Sequence, residues 1–369
     1  MKFDRRLIIN FDWTLLFIVL SVSIIGILNI YSSGFSLPEP RLKTLYIKQL
    51  QWMGISLFFM ALAFCIDYRV IVRQAYLIYF VSLLLLILVF IISDATRGSQ
   101  RWIALGGFSL QPSELMKVAV VLALAKYFDS HKTEKEYSLK ELLLPFLIAF
   151  IPFLLVLKQP DLGTGIILII LFLGIIFMAG IKWKSMALAA GCGLVLIPLG
   201  WHFLKDYQKE RIMTFLNPEQ DPLGTGYHII QSIIAVGSGG LWGKGFLKGT
   251  QTQLKFLPEQ HTDFIFSVYA EEWGFAGAML LIIVFFTLIL WGLKIAFQAK
   301  DLTGMLISIG VTMMIFGQVF INIGMVLGIL PVVGIPLPFM SYGGSSLVVF
   351  MFGIGLLLNV RMRRFVLQA

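Results

Sequence analysis

Residues 162–179 read LGTGIILIILFLGIIFMA, an apolar run without a charged side chain. A helix that crosses the hydrocarbon core of a bilayer needs about 20 mostly apolar residues. Runs of the same kind occur at residues 142–157 and 275–290. So much apolar surface needs lipid around it, and the sequence therefore predicts a membrane protein.

The composition of the whole chain agrees with this interpretation. Hydrophobic residues make up 58% of the 369 positions and charged residues 13%, whereas soluble domains contain about 25% charged residues. We expect an all-α polytopic integral membrane protein, a single transmembrane domain over residues 1–369 with about ten spans. The predicted spans are residues 14–31, 50–66, 75–93, 112–127, 142–157, 162–180, 185–204, 265–293, 303–328 and 344–360.

The distribution of lysine and arginine predicts the orientation in the membrane. The segments on the side of the two termini carry sixteen of these residues and the segments on the other side carry twelve, six of them in the long loop 205–263. Loops of that length translocate with little regard to charge, so the short segments decide. We expect a multi-pass membrane protein with cytoplasmic termini and a partly helical outer loop. The net charge of +9 therefore reflects topology, and nucleic acid is not an expected partner.

One ion pair is predicted at the start of a span. In QPSELMK, residues 111–117, Glu114 and Lys117 are three residues apart and share a helical face. The pair either neutralises charge so that the helix can enter the bilayer, or it contacts a substrate. The preceding loop, RGSQRW at residues 97–102, adds Arg97 and Arg101 on the same side. Arginines on an irregular loop are suited to phosphate or pyrophosphate.

Two aspartates stand at the outer ends of other spans. Asp161 lies in KQPDLGTG, residues 158–165, and Asp263 lies in LPEQHTDF, residues 257–264. By spacing alone, the favoured interpretation is a helix cap at each position, Asp161 for one helix and Thr262 or Asp263 for the other. A capping aspartate can still face a cavity, so both remain candidates for chemistry.

Other motifs fail on inspection. GSGGLWGKG, residues 237–245, lacks the first glycine and the final Ser or Thr of a nucleotide phosphate loop. The four histidines are scattered, so no protein metal site is predicted. A divalent cation acting with the substrate stays open as the only expected cofactor.

Residues 322–346 read NIGMVLGILPVVGIPLPFMSYGGSS. Prolines and glycines give this apolar run an irregular backbone, which at membrane depth must be buried in protein or line a wet cavity. The run resembles the signature of the SEDS family (shape, elongation, division and sporulation proteins). Motifs in the same order extend the resemblance over essentially the whole chain, and the short tails favour the elongation branch over the division branch.

This resemblance implies a peptidoglycan glycosyltransferase that polymerises lipid II at the outer face of the inner membrane. It also implies that the protein acts together with a class B penicillin-binding protein, which is a transpeptidase, and with other membrane proteins of the elongation complex. The family's essential acidic residue corresponds to Asp263, its charged pair to Glu114 and Lys117, and its nearby arginine to Arg101.

In the reaction so implied, Asp263 accepts a proton from the acceptor 4-hydroxyl, and Asp161 or Glu271 is the fallback base. Arg101, Lys117 and Lys244 would stabilise charge on the pyrophosphate leaving group, with Asp161 a further substrate-binding candidate. An α-linked donor and a β-linked product require one inverting displacement. The alternative functions are a transporter or flippase of the lipid-linked precursor and a scaffold without catalytic activity.

Overall fold

The computed structural model describes residues 10–35, 43–92, 101–105, 108–132, 136–188, 191, 206–221, 224–254, 256–257 and 259–364. The elements within these ranges are almost all helical. In chain order they are α1 (Trp13–Phe35), α2 (Leu45–Cys65), α3 (Tyr68–Arg73), α4 (Ala75–Ile92), β1 (Ile103–Leu105), β2 (Phe108–Leu110), α5 (Pro112–Ser130), α6 (Leu143–Lys158), α7 (Leu162–Ala179), α8 (Asp206–Leu216), a 3₁₀ turn (Pro218–Gln220), α9 (Thr225–Ser238), α10 (Thr250–Gln253), α11 (Ile265–Phe297), α12 (Leu302–Val326) and α13 (Gly344–Met362).

The predicted transmembrane architecture is confirmed. Within the described ranges, α1, α2, α7, α11, α12 and α13 are long and apolar enough to cross a membrane, and α4 and α6 are shorter apolar helices. With α5, these helices coincide with nine of the predicted spans. The predicted span at residues 185–204 lies outside the described residues except for 185–188 and 191.

Three helices form the centre of the bundle. Most of α12 and α13 is buried, as are fifteen residues of α5. Small residues let these helices approach their neighbours closely, as they do in membrane bundles generally. A Cβ atom added to Gly355 of α13 would lie 2.5 Å from the Met60 carbonyl oxygen of α2. Because the centre is occupied in this way, lipid contacts fall on outer helices, where side chains such as Phe17 and Phe58 are exposed.

Helix α11 is broken at Gly274, whose φ of 66° lies in the left-handed region. The loop that contains Gly243 packs against the break and supplies hydrogen bonds that the helix lacks there. The amides of Lys244 and Gly245 donate to the carbonyls of Glu271 and Glu272, both at 3.0 Å. The glycine-rich run 237–245 is thus a docking loop for a broken helix, and its glycines allow this close backbone approach.

The segment between α12 and α13, residues 327–343, has the irregular backbone that was predicted within residues 322–346. Core side chains satisfy its polar groups. Asn322 Nδ2 donates to the Ile335 carbonyl oxygen at 2.7 Å, and the Leu337 amide donates to Ser341 Oγ at 2.7 Å. The Tyr342 amide donates to the His261 carbonyl oxygen at 2.9 Å. These bonds fix the segment against the end of the long loop.

The long loop 205–263 is partly helical, as predicted, and contains α8, α9 and α10. Helix α9 is anchored to the bundle through Ser232, whose hydroxyl donates to the Val326 carbonyl oxygen at 2.7 Å and lies 2.9 Å from Ser267 Oγ. We call the end of the bundle that carries this loop the loop face, and the other end the opposite face.

Candidate functional site

A cavity of about 820 Å³ opens at the loop face. Its walls combine the short β-hairpin, the start of α5, the turn before α7, the long loop and the irregular segment after α12. Its lining includes Arg101, Gln111, Glu114, Asp161, Arg211, Glu259, Asp263, Gln318, Gly334 and Tyr342. We refer to it as the polar cavity. The prediction that residues 322–346 supply a cavity wall is confirmed.

Asp263 lies in the wall of the polar cavity at the end of the long loop. The cap interpretation favoured by spacing is wrong, because α11 begins after Phe264 and no side chain caps it. Asn322 Nδ2 donates to the Asp263 carbonyl oxygen at 2.8 Å, which fixes the backbone. Gly334, at φ 70°, leaves room for the carboxylate, since an added Cβ would stand 3.3 Å from Asp263 Oδ2. The side chain is therefore free of helix capping and faces the cavity.

Burial raises the pKa of Asp263 from 3.8 to about 7, and the negative charge of Glu259 acts in the same direction. The positive charges of Arg101 and Arg211 oppose the shift. A helix N-terminus would have lowered the pKa, but burial outweighs any such effect here. A carboxylate with a pKa near neutral is suited to accept a proton during a reaction.

Glu114 and Lys117 form the predicted ion pair, with 2.7 Å between Glu114 Oε1 and Lys117 Nζ and both side chains buried. The ammonium group also lies 5.3 Å from the ring centroid of Phe350. Glu114 lines the polar cavity, and its Oε2 atom is buried without a hydrogen-bond partner. Gln318 Oε1, which lines the same cavity, is also buried without a hydrogen-bond partner. Buried acceptors without partners are costly in the absence of water or a ligand. This wall therefore offers two acceptor atoms to the hydrogen-bond donors of a ligand.

Arg101 and Asp161 meet at the turn between α6 and α7. Arg101 Nε donates to the Gln159 carbonyl oxygen at 3.1 Å, and its Nη2 donates to the Pro160 carbonyl oxygen. Asp161 caps α7 by accepting bonds from the Thr164 amide at 3.2 Å and hydroxyl at 2.9 Å. The cap interpretation of Asp161 is therefore confirmed, and the residue lines the polar cavity as well.

Lys244 and Glu271 lie together and are not part of the cavity lining. Lys244 Nζ is 2.7 Å from Glu271 Oε1, and Glu271 is fully buried. The same carboxylate accepts bonds from the Gln251 amide at 2.9 Å and the Thr252 hydroxyl at 3.2 Å. The structure thus gives Lys244 a role in holding the loop after α9 onto α11. Its assignment to substrate stays a prediction.

Replacing Lys244 with glutamine tests which role it has. We expect the thermal midpoint to fall, because the buried Glu271 carboxylate loses its ion pair. The KM for substrate should change less than twofold. Arg101→Gln is the matched control, since it removes one positive charge from the cavity lining and should raise KM. An increase in KM for Lys244→Gln equal to that of the control would restore the assignment to substrate.

The sequence did not lead us to predict the β-hairpin or the lining residues Gln318 and Arg211. The hairpin of β1 and β2, paired antiparallel, carries Arg101 and Gln111 to the cavity. Its signal was the Gly106-Gly107 pair between the triplets IAL and FSL, since Gly-Gly is a recognised two-residue hairpin pattern. Gln318 stood out as a polar residue inside an apolar span. Arg211 lies on α8 and carried no local signal, since only the tertiary fold brings it to Asp263. Arg97 lies outside the described residues.

The family model described as the FtsW, RodA and SpoVE cell cycle proteins matches residues 12–365. The peptidoglycan glycosyltransferase MrdB of Escherichia coli K12 is 42% identical over 96% of this chain and 95% of its own length. Stage V sporulation protein E of Bacillus subtilis is 39% identical over 95% of this chain and 96% of its own.

A solved structure agrees at the level of the fold. The rod shape determining protein RodA of Thermus thermophilus superposes with a TM-score of 0.72 at 30% identity, covering 96% of this chain and 98% of that one. A chain from a peptidoglycan synthase complex, described as coordinating polymerisation and crosslinking, gives a TM-score of 0.81 at 34% identity with the same coverage. The chain therefore belongs to the SEDS family, the family of FtsW, RodA and SpoVE.

Proposed function

We propose that the chain is a peptidoglycan glycosyltransferase that polymerises lipid II into glycan strands during cell elongation. One observation carries the proposal: a single cavity at the loop face combines a carboxylate whose pKa is near 7 with two guanidinium groups. These are the groups that a sugar transfer from a pyrophosphate donor requires. The names of the relatives, which include glycosyltransferases of the same family, support it.

In this proposal Asp263 accepts the proton of the acceptor 4-hydroxyl as its oxygen attacks the anomeric carbon of the donor. The bond to pyrophosphate breaks on the opposite side, so the α-linked donor gives a β-linked product. Arg101 stabilises the charge that develops on the leaving group, and Arg211 is placed to assist. Glu114 and Gln318 offer their acceptor atoms to substrate hydroxyl or amide donors, while Lys117 holds Glu114 in place.

We further propose that a divalent cation accompanies the pyrophosphate. Mg²⁺ is usually held through one or two carboxylates together with substrate phosphates, and the Asp161 carboxylate lines the same cavity. Such an ion would neutralise negative charge on the leaving group.

The proposed partners follow from the same activity. A class B penicillin-binding protein would crosslink the strands that this chain polymerises, together with other membrane proteins of the elongation complex. A structural relative described as a complex for polymerisation and crosslinking supports this. Lipid II would reach the polar cavity from the outer leaflet.

The proposed orientation places the termini in the cytoplasm and the loop face outside the inner membrane. It rests on the excess of lysine and arginine in the short segments of the opposite face. A single cysteine at position 250, introduced as Thr250→Cys with Cys65 and Cys192 replaced by serine, should react with an impermeant maleimide on intact spheroplasts. A cysteine at Lys132 should react only after permeabilisation. The reverse pattern would invert the orientation and place the cavity in the wrong compartment.

The pKa of Asp263 predicts the pH dependence. A general base works only when ionised, so kcat/KM should rise with pH through about 7 and level off above it. Glu259→Gln removes a negative neighbour, so it should lower the pKa of Asp263 and move the rising part of the pH profile to lower pH. Arg101→Gln removes a positive neighbour and should move it to higher pH. Profiles measured between pH 5 and 9 check this, and shifts in the same direction for both variants would contradict it.

A flippase is the second candidate, because lipid II transport would use a similar cavity. The position of the charged lining at one face, rather than near the midplane, favours the polymerase. Proteoliposomes with fluorescent lipid II in both leaflets distinguish them. We expect polymer to form from the leaflet at the loop face while lipid II in the other leaflet stays inaccessible. Transfer between leaflets without polymer would instead establish transport.

A further inference from the structure

A second polar cavity, of about 430 Å³, lies at the opposite face, between the start of α1 and the ends of α11 and α13. We call it the basic pocket. Its lining includes Asp12, Trp13, Trp291, Lys294, Arg361 and Arg364. It is separated from the polar cavity by the length of the bundle, since α13 begins beside the one and ends beside the other. The glycosyl transfer proposed above makes no use of it.

The charges of the basic pocket are unbalanced. Among its described lining residues there are three cations and one carboxylate. That carboxylate, Asp12, is already engaged: its Oδ1 accepts from the Leu15 amide at 3.1 Å and its Oδ2 from Trp291 Nε1 at 2.8 Å. Arg361 Nε is 3.5 Å from the same Oδ2 atom. The pocket therefore keeps a net positive charge.

The guanidinium groups of Arg361 and Arg364 share one hydrogen-bond acceptor. Nη1 of Arg361 and Nη1 of Arg364 both donate to Oε1 of Gln298, a neutral acceptor. Burial lowers the pKa of Arg364, and the neighbouring charge of Arg361 lowers it further. Bringing two like charges together is unfavourable unless an anion joins them. Paired arginines of this kind match the oxygen atoms of a phosphate group.

The aromatic residues place this pocket at a membrane surface. Trp13 is 66% exposed and the adjacent Phe17, one helical turn further into the bundle, is 74% exposed. The Lys294 ammonium group lies 4.4 Å from the ring centroid of Trp291. Tryptophan is enriched at the level of lipid headgroups. An apolar track on α1 thus leads from the basic pocket toward the hydrocarbon region, where an acyl chain would lie.

We propose that the basic pocket binds the phosphate headgroup of an anionic glycerophospholipid, with the acyl chains along Trp13 and Phe17. Arg361, Arg364 and Lys294 contact the phosphate, and Asp12 keeps Arg361 in position. Basic pockets between membrane helices on the cytoplasmic side are typical sites for anionic headgroups. A soluble phosphate would meet the same cations, but it would make no use of the exposed aromatic track.

Native mass spectrometry of the purified chain with phosphatidylglycerol or phosphatidylcholine tests the proposal without involving lipid II. We expect one saturable phosphatidylglycerol site and at least a 10-fold preference over phosphatidylcholine. Lys294→Gln/Arg364→Gln leaves the Arg361–Asp12 pair intact and should weaken phosphatidylglycerol binding about 10- to 30-fold, as expected for two basic contacts. Lys132→Gln/Lys182→Gln removes the same charge from the opposite face outside the pocket and should bind like wild type.

Three results would overturn the proposal, and two of them need no variant. Equal binding of phosphatidylglycerol and phosphatidylcholine by the wild-type chain would exclude a headgroup site. Equal loss of binding in the two double variants would mean that lipid binding depends only on the total charge of this face and not on the basic pocket. Competition with 10 mM inorganic phosphate separates the sources: persistence of lipid binding supports the lipid, and complete displacement would assign the pocket to a soluble anion.

Discussion

Asp263→Asn should lower the rate of lipid II polymerisation by about 10² to 10⁴, the contribution of a general base. Asparagine keeps the size of the side chain and much of its hydrogen bonding but cannot accept the proton. Because the backbone of residue 263 is fixed by Asn322, the fold should be retained. The measurement is the initial rate of glycan formation for variant and wild type, matched for membrane insertion and thermal midpoint.

Glu259→Gln is the matched control for this experiment. It changes another carboxylate of the same cavity lining in the same isosteric way, and it should cost far less activity than the change at Asp263. A folded Asp263→Asn protein that makes long glycan at a near-normal rate would remove Asp263 from the mechanism. The search would then turn first to Asp161, which shares the cavity, and then to Glu271, which lies with Lys244.

The second large effect is expected from breaking the buried pair of Glu114 and Lys117. Lys117→Met removes the partner of a buried carboxylate, a change that costs about 3–5 kcal/mol when a buried ion pair is broken. It should also abolish polymerisation, because Glu114 is no longer held at the cavity wall. The thermal midpoint in detergent and the rate of glycan formation measure the two consequences separately.

The reversed pair, Glu114→Lys/Lys117→Glu, separates folding from function. It keeps an ion pair on the same helical face, so stability should recover better than activity. Normal polymerisation by this variant would mean that the pair only neutralises charge within the bundle. Recovery of stability alone would support a role for Glu114 in contacting substrate.

The helices could be predicted well from the sequence, because an apolar run long enough to cross a bilayer rarely forms anything other than a transmembrane helix. Residues 162–179 became α7 from the first residue to the last. The cavity wall at residues 322–346 was predictable for a related reason, since interrupted backbone at membrane depth has to be buried or to face a cavity. The ion pair of Glu114 and Lys117 followed from helical spacing alone.

Features that depend on distant parts of the chain could not be predicted in this way. Spacing favoured a cap for both aspartates, yet Asp161 caps a helix and Asp263 does not, because the turn before α11 ends at Phe264. The sequence analysis assigned Lys244 to the pyrophosphate leaving group, and only the fold brings Glu271 to it. The raised pKa of Asp263 depends on burial by segments far away in sequence.

The most direct test of the central claim uses the purified chain and lipid II. Reactions are run with the chain alone and with its class B penicillin-binding protein, whose transpeptidase is blocked by a β-lactam, and the products are separated by gel electrophoresis. We predict a ladder of uncrosslinked glycan strands in at least one of these reactions, and none when Asp263→Asn replaces the wild-type chain. Absence of polymer from folded wild-type chain in both reactions, or ladders of equal intensity from Asp263→Asn, would contradict the account.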